Sequence, residues 1–313
     1  MRFITVGIAT GLIILLVLML LVLAQGAAPA FARFGLRFFT STQWNPVEDQ
    51  FGALPFIYGT LVTSAIAILV ALPVSVGLAL LLNEVRSGWV RNPLAILVDL
   101  LAAIPSVIYG LWGIFVMAPA LNRYLNPVLA GTLGRIPVIA ALFQPTPAVG
   151  NMFNAGLILA IMIIPIITAV TREVIAIVPH DLREAALALG ATRYESIRMA
   201  VLPYARSGIV GATMLGLGRA LGETIAVSML IGNGLGISTS LLAPGYTIPA
   251  IIANEFREAT AVGYHRSALL ALAIVLVAIA FLLAAVSRRL VGRTERMFTG
   301  AEAAEEPALK VAS

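Results

Sequence analysis

The sequence contains no cysteine and only one lysine, Lys310, near its end. Without cysteine there is no disulfide framework, no thiol nucleophile and no cysteine-based zinc site. A Walker A loop needs a glycine-rich turn that ends in Lys-Ser or Lys-Thr, and the chain has no such segment. The chain therefore cannot hydrolyse ATP by that route.

Charged residues are also scarce, at 11% of the chain, while hydrophobic residues make up 60% and the mean hydropathy is +1.00. A soluble domain has about 25% charged residues, so this chain has too few charges to cover a water-exposed shell. We therefore predict a polytopic membrane protein that is solvated largely by lipid. The excess of twenty basic over fifteen acidic residues then reflects membrane topology, and we expect no nucleic-acid partner.

Six apolar segments are long enough to cross a bilayer, which requires about 20 residues. They are residues 6–24, 58–82, 94–121, 155–174, 208–231 and 268–286. The predicted fold class is all-α, a polytopic membrane protein with six transmembrane helices. The first segment has a longer apolar run than a signal peptide and a single preceding charge, which favours an uncleaved anchor.

The predicted helices group into three segments. Residues 1–57 contain the first helix and an outer loop, residues 58–290 form the core transmembrane domain with five helices, and residues 291–313 form a cytoplasmic tail that we expect to be disordered. Arg and Lys accumulate on the cytoplasmic side of membrane proteins. With the N-terminus inside, thirteen of the twenty basic residues are cytoplasmic, six lie outside and Arg219 lies within a span. Both termini are then cytoplasmic.

The loop between the fourth and fifth spans, about residues 179–203, has the pattern of two short helices. Asp181 with Glu184 fits a capping box at the first helix, and Thr192 with Glu195 fits one at the second. Gly190 stands where the first helix would end in a left-handed residue. The first helix carries an apolar stripe of Leu182, Ala185, Ala186 and Leu189. The loop is either a docking element that points away from the membrane or an amphipathic helix that lies on lipid headgroups.

The spacing of this loop resembles the EAA loop of ABC importer permeases. Glu184-Ala-Ala is followed after three residues by Gly190, and after nine more by Ala200-x-Leu-Pro. A more particular resemblance, to the PstC-type permeases of phosphate importers, covers about residues 45–290. The stretches that carry it are residues 52–64, 100–113, 215–227 and 231–233.

The resemblance implies a fold, a function and a set of partners. The fold is that of a type I ABC importer permease, and the function is a non-enzymatic one, the inward transport of inorganic phosphate by alternating access. The implied partners are a paralogous PstA-type permease, a dimeric PstB-type ATPase that binds ATP and Mg, and a periplasmic or lipid-anchored phosphate-binding protein. This chain itself would bind no cofactor, and it would lie in the bacterial inner membrane. The residues that would dock on the ATPase are Leu182, Glu184, Ala185, Ala186, Leu189 and Gly190.

Two opposite charges lie within the fifth predicted span, Arg219 near its middle and Glu223 one helical turn later. An arginine at the bilayer centre costs about 2.5–3.5 kcal/mol on insertion scales, and residues at this spacing share a helix face. They form either a buried ion pair that holds the helix bundle or a part of the anion path. In the second hypothesis Arg219 contacts phosphate transiently, Glu223 weakens that contact, and the hydroxyls of Thr224 and Ser228 act as donors.

The third predicted span carries three further polar residues. Asp99 is either a polar cap or salt-bridge partner, or a part of the path. Ser106 and Tyr109 flank Pro105, and they either bond to the carbonyl that proline frees or line the path or gate.

Small residues repeat every four positions in the fifth span. Gly208, Ala212 and Gly216 form one series, and Gly218 and Gly222 form another. Such faces allow close helix packing. The packing partner is either the second permease or a neighbouring helix of this chain.

The sequence gives no pattern for catalysis. His180 and His265 both lie at boundaries between loop and membrane, without a partner at metal-ligand spacing. Three rival functions remain open. The importer could carry another oxyanion such as molybdate or sulfate, the chain could be an ion-coupled secondary transporter, or it could be a membrane scaffold. A secondary transporter would give the loop of residues 179–203, named the docking loop below, no role. A scaffold would leave Arg219 without a role.

Overall fold

The structure, a computed structural model, describes residues 2–85, 87–259 and 263–311. The first residue of the predicted segment 1–57 and the last two residues of the predicted tail lie outside these ranges. Helices dominate the described chain. A two-stranded antiparallel hairpin joins β1 (Trp44–Asn45) to β2 (Gln50–Phe51).

The first half of the chain contains the helices α1 (Arg2–Phe34), α2 (Arg37–Thr40), α3 (Leu54–Glu84), α4 (Gly88–Ala103), α5 (Ser106–Trp112), α6 (Ala118–Ala120) and α7 (Asn126–Thr132). The second half contains α8 (Met152–Ala176), α9 (His180–Ala188), α10 (Arg193–Ser196), α11 (Leu202–Gly222), α12 (Ile225–Leu230), α13 (Ile248–Glu255) and α14 (His265–Val311). Short π-helical segments cover Gly113–Met117, Leu121–Leu125 and Ile197–Val201, and 3₁₀ turns cover Leu133–Arg135 and Ala140–Phe143.

These elements form two compact units. The first unit contains residues 1–64, 106–158 and 221–279, and the second contains residues 65–105, 159–220 and 280–313. Helices α3, α8 and α14 each contribute residues to both.

An aromatic cluster forms the core of the first unit around the hairpin. Trp44 pairs with Phe51 across the two strands, and its ring lies 4.9 Å from those of both Phe51 and Phe56 in edge-on contacts. The imidazole of His265 stacks on Phe51, with ring centroids 5.6 Å apart. Aromatic pairs in this geometry add about 0.5–1.5 kcal/mol beyond the burial of their area, so the short hairpin is held mainly by its side chains.

Small and branched residues form the core of the second unit. A buried cluster joins α3, the end of α8 and the start of α11, and consists of Ala79, Ile175, Val178, Val201 and Ala205. Two polar contacts also fix α3 to α8. Ser75 Oγ donates to the carbonyl of Ile164, and Asn83 Nδ2 donates to the carbonyl of Arg172. Such bonds give partners to polar groups that would otherwise have no hydrogen-bond partner in lipid.

The count of six spans is not confirmed. In the described residues four helices are long and apolar enough to cross a membrane, Thr5–Phe34, Leu54–Glu84, Met152–Ala176 and His265–Arg289. A fifth is obtained if the broken pair α4 and Ser106–Arg135 counts as one span. The predicted span 208–231 is interrupted, because α11 ends at Gly222 and α12 begins at Ile225.

The prolines of the predicted spans behave differently from one another. Helices α3 and α8 continue through Pro73 and Pro165, whereas α4 ends before Pro105. There Ile104 is extended, with φ −69° and ψ 128°, which is the conformation that a following proline imposes.

The last helix, α14, continues to Val311, into the segment for which the sequence predicts disorder. Residues 299–306 contain mainly alanine and glutamate. Both are strong helix formers, which accounts for a helical backbone in a segment that has too few apolar residues to form a core.

Candidate functional site

The loop between α8 and α11 folds as two short helices, as the sequence predicts. Helix α9 ends at Ala188, and Gly190 has a left-handed φ of +87°. The amide of Gly190 donates to the carbonyl of Leu187, and that of Ala191 donates to the carbonyl of Ala186. This pair of bonds is the Schellman motif, which stops a helix and turns the chain.

One of the two predicted capping boxes is confirmed and the other is wrong. Thr192 caps α10, because its hydroxyl accepts from the amide of Glu195 while the Glu195 carboxylate accepts from the amide of Thr192. Asp181 does not cap α9, because that helix begins directly after Pro179 and Asp181 lies within its first turn. A carboxylate in the first turn is still favoured by the helix dipole.

The apolar stripe of α9 is open to contact. Leu182 is 40% exposed and Leu189 is 90% exposed. An open pocket of about 510 Å³ lies beside Leu189. Its lining consists of Ala185, Ala186, Leu189, Gly190, Ala191, Glu195, Met199 and Ala200. A protruding leucine beside a pocket walled by small residues is a surface that a partner protein can pack against.

An ion pair that the sequence analysis did not predict fixes this loop to α3. Arg183 of α9 donates from Nη1 to Oε1 of Glu84, the last residue of α3. The side chains are 21% and 31% exposed. The two residues are 99 positions apart. Sequence patterns indicate contacts between near neighbours along a helix or strand, so they do not predict this pair.

Helix α11 uses its two series of small residues differently. A methyl group added at Gly208 would overlap the side chain of Val174, and one at Gly216 would lie 2.6 Å from Ile167. This face therefore packs on α8 of the same chain. At Gly218 and Gly222, an added methyl group would have no neighbour within 4 Å among the described residues, so this face is uncovered.

Arg219 is exposed and lies beside Gly218 on the uncovered face of α11. Glu223 is only 9% exposed and lies, with Thr224, in the break between α11 and α12. The expectation of one continuous helix through Arg219 and Glu223 is therefore wrong. The hydroxyls of Thr224 and Ser228 donate to the carbonyls of Gly222 and Ile225. In this state each hydroxyl oxygen can still accept a hydrogen bond, but its proton is already used.

The three polar residues of the third predicted span are divided by the break at Pro105. Asp99 is exposed near the end of α4, between Val98, which is buried, and Leu100, which is exposed. Ser106 begins α5, and Tyr109 is 6% exposed within it. Because the helix is interrupted here, no continuous helix passes from Asp99 to Tyr109, and their roles stay predictions.

The sequence analysis also missed a cluster of asparagine amides in the first unit. Asn122 Oδ1 accepts from Nδ2 of Asn126, Asn151 and Asn154 at 2.6, 3.5 and 3.1 Å. Asn126, Asn151 and Asn154 are buried, and among the described residues Asn126 Oδ1 has no partner. A pocket of about 510 Å³ that Asn122, Asn126 and Asn151 help to line lies beside the cluster.

His265 is part of a polar contact and not only a boundary residue. Oε2 of Glu255 accepts from the Trp44 indole at 2.9 Å and lies 2.8 Å from His265 Nε2. This contact connects the hairpin to the ends of α13 and α14. Spacing alone did not indicate it, because Trp44 is 211 positions from Glu255.

Several apolar helices long enough to cross a membrane, with an exposed two-helix loop between α8 and α11, are the arrangement expected of a multi-pass permease. A family model described as "binding-protein-dependent transport system inner membrane component" matches residues 71–296. The chain belongs to this family, which confirms the resemblance found in the sequence.

Named relatives and solved structures agree with this assignment. The chain is 49% identical over 271 residues to the phosphate transport system permease protein PstC of Xylella fastidiosa, covering 87% of this chain and 83% of the relative. It is 44% identical to PstC of Haemophilus influenzae, covering 90% and 89%. A bacterial alginate ABC transporter, solved in complex with an alginate pentasaccharide-bound periplasmic protein, has a TM-score of 0.60 at 20% identity and covers 93% of this chain and 94% of its own. The fold is that of type I ABC importer permeases.

Proposed function

We propose that this chain is a permease subunit of an ATP-driven importer of inorganic phosphate. The observation that carries the proposal is the identity of 44–49%, over 87–90% of the chain, to proteins named phosphate transport system permease protein PstC. The chain would form one part of the membrane path, and ATP hydrolysis, with its Mg, would take place on a partner ATPase.

The docking loop is the surface through which this ATPase would act. Leu189, at the end of α9, is 90% exposed, and the small side chains of Ala185 and Ala186 in the neighbouring pocket would allow a partner to approach closely. A groove of the PstB-type ATPase dimer would receive this helix. Movement of the ATPase on binding ATP would then be passed to the permease through α9, and would switch the membrane path between outward-facing and inward-facing states.

The second permease, of the PstA type, would cover the open face of α11. Gly218 and Gly222 leave room there for a helix to approach closely, and Arg219 lies on the same face. An arginine turned towards lipid costs at least about 2.5 kcal/mol. A partner helix or a water-filled path between the two permeases removes that cost.

In this arrangement Arg219 is the residue that would contact phosphate during transport. Its guanidinium is a planar fork whose donors match the oxygens of phosphate. Glu223 would weaken the contact by repelling the anion. Thr224 and Ser228 would act as hydroxyl donors to the anion after releasing the carbonyls of Gly222 and Ile225. Asp99, Ser106 and Tyr109 would belong to the path or its gate.

The proposed contact with the ATPase also implies how the chain is oriented in the membrane. Both termini would lie in the cytoplasm of a bacterium whose inner membrane holds the complex. The docking loop would then face the ATPase. A periplasmic or lipid-anchored phosphate-binding protein would deliver the anion to the opposite side.

Phosphate uptake in cells tests the cargo. The chain, expressed with its neighbouring transport genes in cells that lack their own high-affinity system, should restore uptake of radiolabelled phosphate. Excess unlabelled phosphate should abolish the signal, and excess molybdate or sulfate should leave it. Loss of the signal with molybdate or sulfate instead would replace the proposed cargo by another oxyanion.

Arg219→Ala and Arg219→Lys test the path. We expect Arg219→Ala to abolish uptake in a complex that still contains the ATPase, and Arg219→Lys to retain only part of it, because lysine keeps the charge and loses the fork. Arg91→Ala, at an exposed position of α4, removes the same charge outside α11 and is the matched control. Unchanged uptake in the assembled Arg219→Ala complex would remove this residue from the path, and loss of assembly would give it a structural role.

A further inference from the structure

Glu84 and Arg183 each stand near a helix end that disfavours their charge. Glu84 is the last residue of α3, where the helix dipole favours a cation, and Arg183 is the fourth residue of α9, near the end where the dipole favours an anion. The charge of each side chain is therefore unfavourable in its own helix. Residues that break a local rule are expected where another requirement overrides it. Here that requirement is the ion pair between them.

The pair lies in a partly buried junction. The side chains of Arg183 and Glu84 are 21% and 31% exposed, so salt screens their attraction less than at an open surface. Ser196 Oγ donates to the carbonyl of Arg183 at 3.5 Å. Asn83, the neighbour of Glu84, donates to the carbonyl of Arg172 at 3.1 Å. Polar contacts thus fix both ends of the junction.

Helix α9 lies outside the buried core. None of its residues, within the described chain, is buried. The apolar contacts that hold the loop come from Val178 before the helix and from Val201 after it, both packed with Ala79 of α3. Among the described residues, the ion pair of Arg183 with Glu84 is a direct side-chain contact between α9 and the end of α3, so a displacement of α9 by a partner can act on α3 through it.

We propose that the Glu84–Arg183 ion pair is the link through which α9 and the transmembrane helix α3 move as one body when the ATPase binds ATP. Both are positioning residues, and neither contacts the transported anion. The proposal rests on the proposed function, because it requires an ATPase at the docking loop. It adds the element that receives the movement, α3, and the contact that transmits it.

Reversal of the two charges gives a sharp test. Glu84→Arg and Arg183→Glu each place two like charges at the junction. The double variant restores an ion pair, and it places an anion near the start of α9 and a cation at the end of α3, where the helix dipoles favour them. Glu173→Arg, at an exposed position of α8, makes the same charge change as Glu84→Arg outside the junction and is the control.

The readout is the number of phosphate ions imported per ATP hydrolysed by the purified complex in proteoliposomes. We expect each single variant to lower this ratio by about fivefold or more, the lower end of typical coupling between linked sites. The double variant and Glu173→Arg should stay near the wild-type ratio. The ATPase should co-purify with every variant.

A second readout does not depend on the cargo. Because the chain has no cysteine, spin labels can be attached to Leu81→Cys in α3 and His180→Cys in α9, both at exposed positions. In the wild-type complex and in the double variant the distance between the labels should stay the same when ATP is added. In each single variant the distance should change or its distribution should broaden.

The outcomes separate the two proposals. If the wild-type complex hydrolyses ATP but imports no phosphate, the cargo is wrong, and the label distances still decide the link. A fixed distance in the single variants, or an unchanged transport ratio, would overturn the link. Loss of the ATPase from the single variants would also overturn it, because the pair would then only hold the loop in shape for docking.

Discussion

At the scale of single residues, glycine decides how closely α11 approaches α8. Gly208 and Gly216 lie against the branched side chains of Val174 and Ile167, so a hydrogen atom occupies the space that a methyl group would need. Gly211, Gly218 and Gly222 have open space instead. The same residue type therefore has two roles on one helix, packing within the chain and leaving a face free for a partner.

Alanine substitutions should separate these roles. Gly208→Ala should destabilise the isolated subunit by about 1–3 kcal/mol, because the added methyl overlaps the stiff side chain of Val174. Gly211→Ala should instead stabilise it by up to about 1 kcal/mol, through the higher helix propensity of alanine. Denaturant titration in detergent measures both. Equal effects of the two substitutions would contradict the packing of α11 on α8.

Asn122 has a comparable importance in the first unit. Its Oδ1 accepts three amide donors from buried asparagines. Asn122→Ala should cost at least about 2 kcal/mol, because buried donors lose their acceptor. Asn92→Ala, at an exposed position of α4, should change stability far less. The same denaturant titration compares the two, and a neutral Asn122→Ala would mean that water replaces the lost acceptor.

At the scale of elements, the docking loop shows what local sequence determines. The capping box of Thr192 and Glu195 and the left-handed Gly190 depend on residues within six positions of one another, and both are predictable. The predicted start of α9, with Asp181 as its cap, is wrong, because the helix begins at His180, directly after Pro179, without a side-chain cap. The ion pair of Arg183 with Glu84 was out of reach, since only the folded chain brings the end of α3 to α9.

The capping box gives the loop a defined pH dependence. The amide and hydroxyl of Thr192 bond to the Glu195 carboxylate and lower the pKa of that carboxyl. A group with a lowered pKa contributes stability above its ordinary pKa, and loses it as the pH falls through the lowered value. Protection of the Thr192 amide from hydrogen exchange should therefore persist down to about pH 4, and should be lost below the lowered pKa.

Glu195→Gln provides the control for this pH dependence. Glutamine keeps an acceptor for the Thr192 amide but has no titrating group in this range. Protection in this variant should be weaker and independent of pH. A wild-type protein that loses protection already between pH 7 and 5 would contradict the capping contribution of Glu195.

Proline shows the limit of prediction from a single element. Pro73, Pro105 and Pro165 look alike in the sequence, each within an apolar run. Two lie within continuous helices and one marks a break. Ser75 and Asn83 bond α3 to α8 in the part of the chain that contains the continuous helices. Whether a helix continues through a proline depends on its neighbours in the folded chain, and local sequence does not reveal these neighbours.

At the scale of the whole molecule, composition and hydropathy were enough for the fold class, and the spacing of the docking loop was enough for the family. The number of unbroken spans could not be predicted in this way, because the breaks at Pro105 and at Glu223–Thr224 depend on packing. That Arg219 lies within a helix was predictable. Its exposure on an uncovered face of α11 was not, because it depends on which series of glycines packs against α8.

The central claim is that this chain, through its docking loop, couples a partner's ATP hydrolysis to the inward transport of phosphate. Proteoliposomes that contain the complete complex, with the phosphate-binding protein on the side that faces it, test this claim most directly. Vesicles with ATP should accumulate labelled phosphate, and vesicles with ADP should not. Phosphate uptake that proceeds equally without ATP would contradict the account, and so would ATP hydrolysis without any phosphate transport.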